Sequence, residues 1–166
     1  METRRQVIIG NSAAGLAAAV AIRKHDPASI ITIISDEDCP AYSRVLTTYY
    51  LEGKIGREGL EYCDLSFYGR HAIQPYLGHR AMELDVERQR VLLDRGFPLS
   101  YDNLLIATGA SPTFPSIPGV DLQGVFGLRT VADAEAIDAW CKGAKEAVIL
   151  GAGLVSLQVE IGRAHV

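Results

Sequence analysis

Three apolar runs in the sequence have the length and the β-branched composition of buried parallel strands. They are residues 6–10 (QVIIG), 29–35 (SIITIIS) and 103–108 (NLLIAT). A strand that is covered on both faces of a sheet shows an almost continuous apolar run instead of an alternating one. Residues 13–25, between the first two runs, are rich in alanine and predict a helix that ends at Asp26-Pro27. This order predicts a βαβ unit with a right-handed crossover.

The rest of the chain predicts shorter and less regular elements. Short helices are expected around residues 43–52 and 64–71. Residues 79–95 contain two strand-like runs, AMELD and QRVLLD, followed by a turn and the run FPL, and therefore predict a small antiparallel meander. Residues 131–142 predict a helix, and residues 146–150 predict a further parallel strand.

Composition and charge narrow the classes of function. The chain has 166 residues, of which 48% are hydrophobic and 22% are charged, as is ordinary for a globular protein. Its net charge of −4 gives no electrostatic reason to expect a nucleic acid or an anionic membrane as a partner. No apolar stretch approaches the roughly 20 residues that are needed to span a bilayer. We therefore predict neither nucleic acid nor membrane among its partners.

The cysteines and histidines show no metal-binding pattern. Cys39, Cys63 and Cys141 form no CxxC pair, and their odd number argues against a disulfide framework, a zinc knuckle or an iron–sulfur cluster. A reducing, cytoplasmic compartment fits this cysteine usage best. The histidines show no ligand spacing, so the sequence predicts no metal site, and no catalytic side chain is assigned.

The N-terminus leaves export open as an alternative to a cytoplasmic location. Thr3-Arg4-Arg5, followed by apolar residues and an alanine-rich run, resembles a twin-arginine signal. However, Gly10-Asn11-Ser12 interrupts the apolar run, and the following segment continues directly into a strand with an acidic end.

A nucleotide-binding fingerprint, VIIGNSAAG, occupies residues 7–15. Its pattern is G-x-S-x-x-G, with Ser12 between Gly10 and Gly15, and it places a tight turn between a strand and a helix. Such a turn directs backbone N–H groups and a helix N-terminus at a pyrophosphate. Asp36, at the end of the next strand, is expected to accept hydrogen bonds from the ribose hydroxyls. The two carboxylates that follow Asp36 are alternatives for that role, and a turn made only for packing is the alternative for the motif.

A second fingerprint, VILGAGLVS, occupies residues 148–156 with the pattern G-x-G-x-x-S. Gly151 and Gly153 are its two early glycines, and a simple β-turn-α packing unit is the alternative interpretation. The acid that distinguishes NADH from NADPH would follow the next strand, which this sequence lacks, so that preference stays open. Two fingerprints predict two dinucleotides, one of which passes electrons to the other.

Three motifs between the two fingerprints resemble those of one protein family. LLIATGASP at residues 104–112, PSIPG at 115–119 and GVFGLRTVADA at 124–134 resemble segments of the FAD-dependent pyridine nucleotide-disulfide oxidoreductases. With the two fingerprints, these motifs cover nearly the whole chain in the family's order. The resemblance implies the cofactors FAD and NAD(P)H. It also implies a truncated α/β, three-layer Rossmann-like FAD/NAD(P)-binding fold that combines a parallel sheet with an antiparallel β-meander.

The family inserts an NAD domain into a split FAD domain, and this arrangement implies the domain boundaries. Residues 1–118 would be the first half of the FAD domain, and residues 119–160 would begin the NAD(P) domain. Three of the seven prolines lie within residues 110–120, where linker composition marks the boundary.

The segments PAYSRVL, at residues 40–46, and YLEGKI, at 50–55, indicate a branch of the family. They resemble the large subunit of assimilatory nitrite reductases and, more loosely, rubredoxin and ferredoxin reductases. In the branch of NADH peroxidases, NADH oxidases and coenzyme A-disulfide reductases, the redox cysteine would align with Val45, and Cys39 lies six residues away. The resemblance therefore implies no thiol relay and a metal-containing electron acceptor, either a domain or a protein. The alternatives are an oxidase-like, peroxidase-like or disulfide-reducing flavoenzyme, and a flavin-binding module without turnover.

The resemblance also implies a cofactor-binding set. Ala14 would lie against the FAD pyrophosphate, and Ala81 would contact adenine through its backbone. Arg44 and Thr48 would line the flavin side, although Thr48 departs from the lysine of ferredoxin reductases. Arg129 would reach the flavin or its phosphates, with an ordinary surface arginine as the alternative. The full set comprises Gly10, Ser12, Ala13, Ala14, Gly15, Asp36, Arg44, Thr48, Ala81, Thr108, Gly109, Arg129, Gly151 and Gly153.

The last six residues, 161–166 (IGRAHV), interrupt the apolar pattern expected of the final helix. They match one translation of a common sequencing-library adapter, which predicts a non-native tail and a natural sequence that continues differently after about residue 160. A coincidental extension of the helix is the alternative. The chain would then be an N-terminal fragment that is inactive alone, and residues 146–150 would lack sheet partners and expose apolar side chains.

Overall fold

The computed structural model describes residues 3–151 together with Gly153, Val155, Ser156 and Gln158. The chain divides into two compact units. The first comprises Met1–Tyr42 and Glu61–Gly109, and the second comprises Ser43–Leu60 and Ala110–Val166.

The strands and helices follow the order expected of a βαβ protein with an added meander. The strands are β1 (Arg5–Ile9), β2 (Ile30–Ser35), β3 (Ile73–Leu77), β4 (Ala81–Asp85), β5 (Arg90–Leu93), β6 (Pro98–Ser100) and β7 (Asn103–Ile106). The α-helices are α1 (Ala13–His25), α2 (Thr47–Leu51), α3 (Ser66–Arg70) and α4 (Val131–Cys141), and 3₁₀ turns cover Arg44–Leu46 and Arg57–Leu60.

A parallel four-stranded sheet forms the centre of the first unit, with the order β3-β2-β1-β7. In register, Ile8 of β1 pairs with Ile33 of β2 on one side and with Leu105 of β7 on the other. The chain passes from β1 to β2 through α1, as the alternation of apolar run and alanine-rich helix predicts.

The sheet is covered by a different layer on each face. On one face, Ile8 and Ile33 pack with Leu16 and Ala19 of α1 and with Tyr68 of α3. The other face packs against the meander in a second core made of Val7, Ile34, Val91, Leu93 and Tyr101. Neighbouring residues of one strand point to opposite faces, so β1 supplies both cores. The expected three-layer α/β fold is therefore confirmed.

The meander is antiparallel, with the strand order β4-β5-β6. Val91 pairs with Leu84 on one neighbouring strand and with Leu99 on the other. Gly96, with a φ of 76°, makes the turn after β5, where its N–H donates to the Leu93 carbonyl oxygen at 2.9 Å. The sequence-based prediction of a meander in this region is confirmed.

Three segments differ from the expectations. β7 was expected to be buried, but it lies at an edge of the sheet, and Leu105 and Ile106 are 38% and 60% exposed. β3 has no counterpart among the predicted elements. Pro75 lies in its centre, and a proline argues against a central strand. The structure places β3 at the edge of the sheet, where proline is tolerated. The strand expected at residues 146–150 is wrong: these residues have no regular secondary structure. A strand needs a hydrogen-bonded neighbour, and Val148 and Leu150 are 91% and 73% exposed.

In the second unit, α2 packs against α4. The Tyr50 hydroxyl donates to Glu135 Oε1 at 3.3 Å. α4 begins with a capping box: Asp133 N–H donates to Thr130 Oγ1 at 3.1 Å, and Thr130 N–H donates to Asp133 Oδ2 at 2.7 Å. Within the described part of the chain, every helix is too short or too polar to cross a bilayer.

Candidate functional site

The turn between β1 and α1 is built on two glycines that have no room for a side chain. Gly10 has a φ of +123°, and a Cβ there would lie 2.1 Å from the Ala107 carbonyl oxygen. A Cβ on Gly15 would lie 2.0 Å from the Gly10 carbonyl oxygen. Both distances are far below van der Waals contact, so the close approach of three backbone segments depends on glycine at these two positions.

The start of α1 offers backbone donors to an anion. Ser12 is the N-cap in an extended conformation, and its side chain makes no capping hydrogen bond to the described residues. The helix begins with Ala13, Ala14 and Gly15, which bring no carboxylate, whereas its last turn carries three basic residues. The first amides of the helix thus keep their hydrogen-bonding capacity at the positive end of the helix dipole. These features fit a pyrophosphate.

The ATG segment closes the turn from the side of β7. Ala107 N–H donates to the Ile9 carbonyl oxygen at 2.7 Å, so the chain leaves β7 directly beside Gly10. The nitrogen of Thr108 would lie 3.1 Å from a Cβ on Gly10, and Gly109 follows with a φ of 71°. The structure therefore brings Thr108 and the first fingerprint together.

The acidic loop after β2 lies at the same edge of the sheet. Asp36 is exposed and follows Ser35, whose hydroxyl accepts the Glu37 N–H at 3.2 Å. The carbonyl oxygen of Ser35 accepts the His79 N–H at 2.8 Å, which ties the start of the meander to this loop. Ala81, the first residue of β4, is half-buried and follows His79 by two residues. The ribose and adenine roles of these two residues stay predictions.

Sequence reasoning gave no role to Asn11 and Tyr68. Asn11 lies inside the fingerprint and is only 9% exposed, and its Oδ1 accepts a hydrogen bond from Tyr68 Oη at 2.8 Å. Tyr68 is 1% exposed, and its hydroxyl also accepts the Ala41 N–H at 3.2 Å. The sequence contains one indication of a role for Asn11. Its amide side chain stands in a turn whose other residues are small.

Five of the predicted residues belong to the second unit, and three of them precede the second fingerprint. Arg44 begins the 3₁₀ turn, and its carbonyl oxygen accepts the Thr47 hydroxyl at 2.7 Å. Thr48 is 3% exposed, and its hydroxyl donates to Gln158 Oε1 at 3.1 Å. Arg129 contacts the Ser111 hydroxyl through Nη1, and its N–H donates to Asp133 Oδ2 at 3.0 Å. Their roles toward a flavin stay predictions.

The second fingerprint lies only partly within the described residues. Gly151 has a φ of +118°, the same region as Gly10, and a Cβ there would lie 3.3 Å from Ser156 Oγ. Gly153 is exposed. Ala152 and Leu154, and the tail at residues 161–166, lie outside the described residues.

The cysteines and acidic residues of the described chain form no candidate metal site. Cys39, Cys63 and Cys141 form no disulfide in the described chain, and burial raises the pKa of the Cys63 thiol. Over the described residues, no group of three or more histidine, cysteine, aspartate or glutamate side chains is placed to hold a metal ion.

Comparison with known proteins places these features in a family. Residues 4–161 match the family model of the pyridine nucleotide-disulphide oxidoreductases. The chain is 34% identical, over 99% of its length, to the assimilatory nitrate reductase electron transfer subunit of Bacillus subtilis, of which it covers 22%. It is 35% identical, over 92% of its length, to rhodocoxin reductase of Rhodococcus erythropolis, of which it covers 36%.

A solved structure gives the same assignment. The ferredoxin reductase of Rhodopseudomonas palustris superposes with a TM-score of 0.90 and 28% sequence identity, over 98% of this chain and 41% of that one. The chain thus spans between about a fifth and two fifths of the length of these relatives. Because the family model matches almost all of the chain, the protein belongs to the pyridine nucleotide-disulphide oxidoreductase family.

Proposed function

We propose that this chain is the FAD-binding part, and the beginning of the NAD(P)H-binding part, of a flavoprotein reductase. The reductase oxidises NADH or NADPH and delivers the electrons to a metal-containing acceptor, which is a domain or a separate protein. Residues 1–118 are the first half of the FAD domain in this proposal, and residues 119–160 begin the NAD(P) domain. Membership of the family and the length of the relatives support both statements.

One observation carries the FAD assignment. The backbone segments at Gly10, Gly15 and Ala107 approach so closely that a single methyl group on either glycine would collide with a carbonyl oxygen. The resulting turn leaves the first amides of α1 open toward the carboxyl edge of the parallel sheet, which is where open α/β sheets bind ligands. The negative charge of a pyrophosphate suits this turn, because the first turn of α1 has no acidic residue and lies at the positive end of the helix dipole.

Each part of the chain has a binding or orienting task. The amides of Ala13 and Ala14 would hold the pyrophosphate, and Asp36 would accept the ribose hydroxyls. Thr108 and Gly109 would form the wall opposite the helix. When bound, FAD supplies the redox chemistry, because its ring accepts a hydride from a nicotinamide and releases electrons to the acceptor.

The proposal of a metal-containing acceptor rests on the kind of relatives and on the missing thiol. The relatives are named as reductases of rhodocoxin and ferredoxin and as an electron transfer subunit, and ferredoxins carry iron–sulfur clusters. Val45, at the position expected for a redox cysteine, is 76% exposed and has no sulfur. Electrons therefore need a route other than a thiol at this position.

The test uses the complete polypeptide that contains this chain. We expect it to purify with the visible absorption of oxidised flavin, to lose that absorption when NADH or NADPH is added without oxygen, and to reduce an artificial electron-accepting dye. Asp36→Asn should weaken FAD binding about tenfold to a hundredfold, because it removes a charged acceptor. Asp121→Asn is the matched control, because Asp121 is an exposed aspartate outside the predicted cofactor-binding set. A colourless protein that takes up no FAD in a calorimetric titration would contradict the proposal.

A further inference from the structure

A buried hydrogen-bond network connects the phosphate-binding turn to two other segments of the first unit. Its centre is the pair of Asn11, in the turn, and Tyr68, in α3. Asn11 Nδ2 donates to the Cys39 carbonyl oxygen at 3.4 Å, and Tyr68 Oη accepts the Ala41 N–H at 3.2 Å. Both latter contacts reach the loop that leaves β2, which is the loop that carries Asp36.

The network has a single consistent arrangement of donors and acceptors. A carbonyl oxygen can only accept, so the Asn11 amide group must turn its NH₂ toward Cys39 and its oxygen toward Tyr68. The Asn11 oxygen can only accept, so the Tyr68 hydroxyl donates to it and accepts the Ala41 N–H through a lone pair. Burial raises the pKa of Tyr68 to about 12, so the hydroxyl keeps its proton throughout the neutral range.

From this geometry we propose that Tyr68 and Asn11 are positioning residues, which fix the spacing between the phosphate-binding turn and the acidic loop. This inference rests on the proposed function. A dinucleotide must contact the turn with its pyrophosphate and the acidic loop with its ribose at the same time. A hydrogen-bond network that connects these segments before binding lowers the entropic cost of ordering them. The affinity for the ADP half of FAD is therefore higher.

The surroundings of Tyr68 distinguish a positioning role of its hydroxyl from a role in packing the core. The Tyr68 ring packs in this core with aliphatic residues of the sheet and of α1, whereas its hydroxyl contacts polar atoms of the turn and the loop. Replacing that hydroxyl by hydrogen leaves the ring, and hence most of the apolar contact, in place. The change should therefore alter the geometry of the site more than the stability of the core.

The experiment compares ligand affinities of the complete polypeptide in its apo form. The variants are Tyr68→Phe and Asn11→Ala, and Tyr101→Phe is the matched control because Tyr101 is a buried tyrosine in the core on the other face of the sheet. Kd is measured for FAD, for ADP and for FMN, at a temperature at which each variant is fully folded by circular dichroism. FMN lacks the adenosine and the second phosphate, so the proposed spacing does not affect it.

We expect Tyr68→Phe and Asn11→Ala each to raise the Kd for FAD and for ADP about tenfold, while the Kd for FMN and all values of Tyr101→Phe stay unchanged. Because Asn11 and Tyr68 share one hydrogen bond of the network, the double variant should lose less than the product of the two single losses. The ³¹P resonances of bound FAD should also shift in both single variants.

Two results would overturn the inference alone. One is a Tyr68→Phe variant that melts at a lower temperature but binds FAD and ADP as the unmodified protein does. The other is a double variant in which the two losses multiply. If Tyr68→Phe does not fold, Asn11→Ala decides the question by the same comparison. An unmodified protein that binds no FAD refutes the proposed function as well, so the two failures are distinguishable.

Discussion

Replacing Gly15 by alanine tests the contact on which the candidate site depends. The added Cβ would lie 2.0 Å from the Gly10 carbonyl oxygen and 3.4 Å from Ile8 Cγ2. Rotation of a side chain gives no relief, because the methyl group and the carbonyl group are both fixed to the backbone. The first turn of α1 must therefore move by about 1 Å to bring the closer contact from 2.0 Å to the 3.0 Å that Cβ atoms respect.

The magnitude follows from what that movement disturbs. Overpacking of a well-packed region costs about 1–3 kcal/mol, and the upper end applies because α1 buries Leu16 and Ala19 in the core that would open. The higher helix propensity of alanine returns about 1 kcal/mol. We expect a net loss of about 2 kcal/mol in the free energy of unfolding, which corresponds to a Tm lower by about 4–8 °C.

Gly69→Ala is the matched control, because Gly69 lies within α3 and a Cβ there meets no described atom within 4 Å. This variant should be as stable as the unmodified chain or gain up to about 1 kcal/mol. Urea unfolding followed by far-UV circular dichroism measures both variants. The reasoning is refuted if Gly15→Ala unfolds at the same urea concentration as Gly69→Ala with the same slope.

Two further predictions concern polar contacts in the first unit. Arg23 donates to four backbone carbonyl oxygens at 2.7–2.9 Å within the described chain. Arg23→Met should therefore lower the free energy of unfolding by about 2–3 kcal/mol, whereas Lys24→Met, at an exposed neighbour, should lower it little. Equal urea midpoints of the two variants would contradict this prediction. The Arg5 guanidinium lowers the pKa of Asp102 to about 2, so Asp102 contributes stability that is fully present above about pH 4 and is lost as the pH falls to about 2. Asp102→Asn should therefore lose less stability than the unmodified chain between about pH 4 and pH 2, and parallel pH profiles of the urea midpoint would contradict this.

The elements that were predicted correctly are those whose signal is local. β1 and β2 lie inside the sheet and appear as continuous apolar runs. β7 is also a continuous apolar run, although it lies at an edge of the sheet. The alanine-rich segment between the first two runs forms α1 with the predicted bounds, Ala13–His25. The residues that determine these strands and this helix lie within the elements themselves, so the local sequence is sufficient to predict them.

The two errors in strand assignment, at β3 and at residues 146–150, have one cause. In both segments, strand formation depends on a neighbouring strand. Pro75 removes one backbone donor, and only its place at the edge of the sheet makes that loss harmless to β3. Residues 146–150 have a suitable apolar composition but no paired neighbour in the described chain, and so they form no strand. Strand formation is a property of pairs of segments, and a pattern along one segment cannot supply it.

The candidate site shows the same division between local motif and distant contact. The fingerprint and the ATG segment are each recognisable alone, but the contact of Gly10 with Ala107 joins residues far apart in the chain. The hydrogen bond between Tyr68 and Asn11 spans 57 positions, and nothing near Tyr68 in the sequence indicates it.

The motif LRTVADA shows how a family motif divides between structural and functional tasks. Thr130 and Asp133 are accounted for by the capping box, because each satisfies a backbone donor that the start of α4 would otherwise leave without an acceptor. The same carboxylate accepts the N–H of Arg129, so the cap also fixes the backbone at the arginine. Asp133→Ala would thus change the position of Arg129 as well as the stability of α4. A role for Arg129 toward an anionic ligand must therefore be tested by changing its guanidinium alone, with the cap left intact.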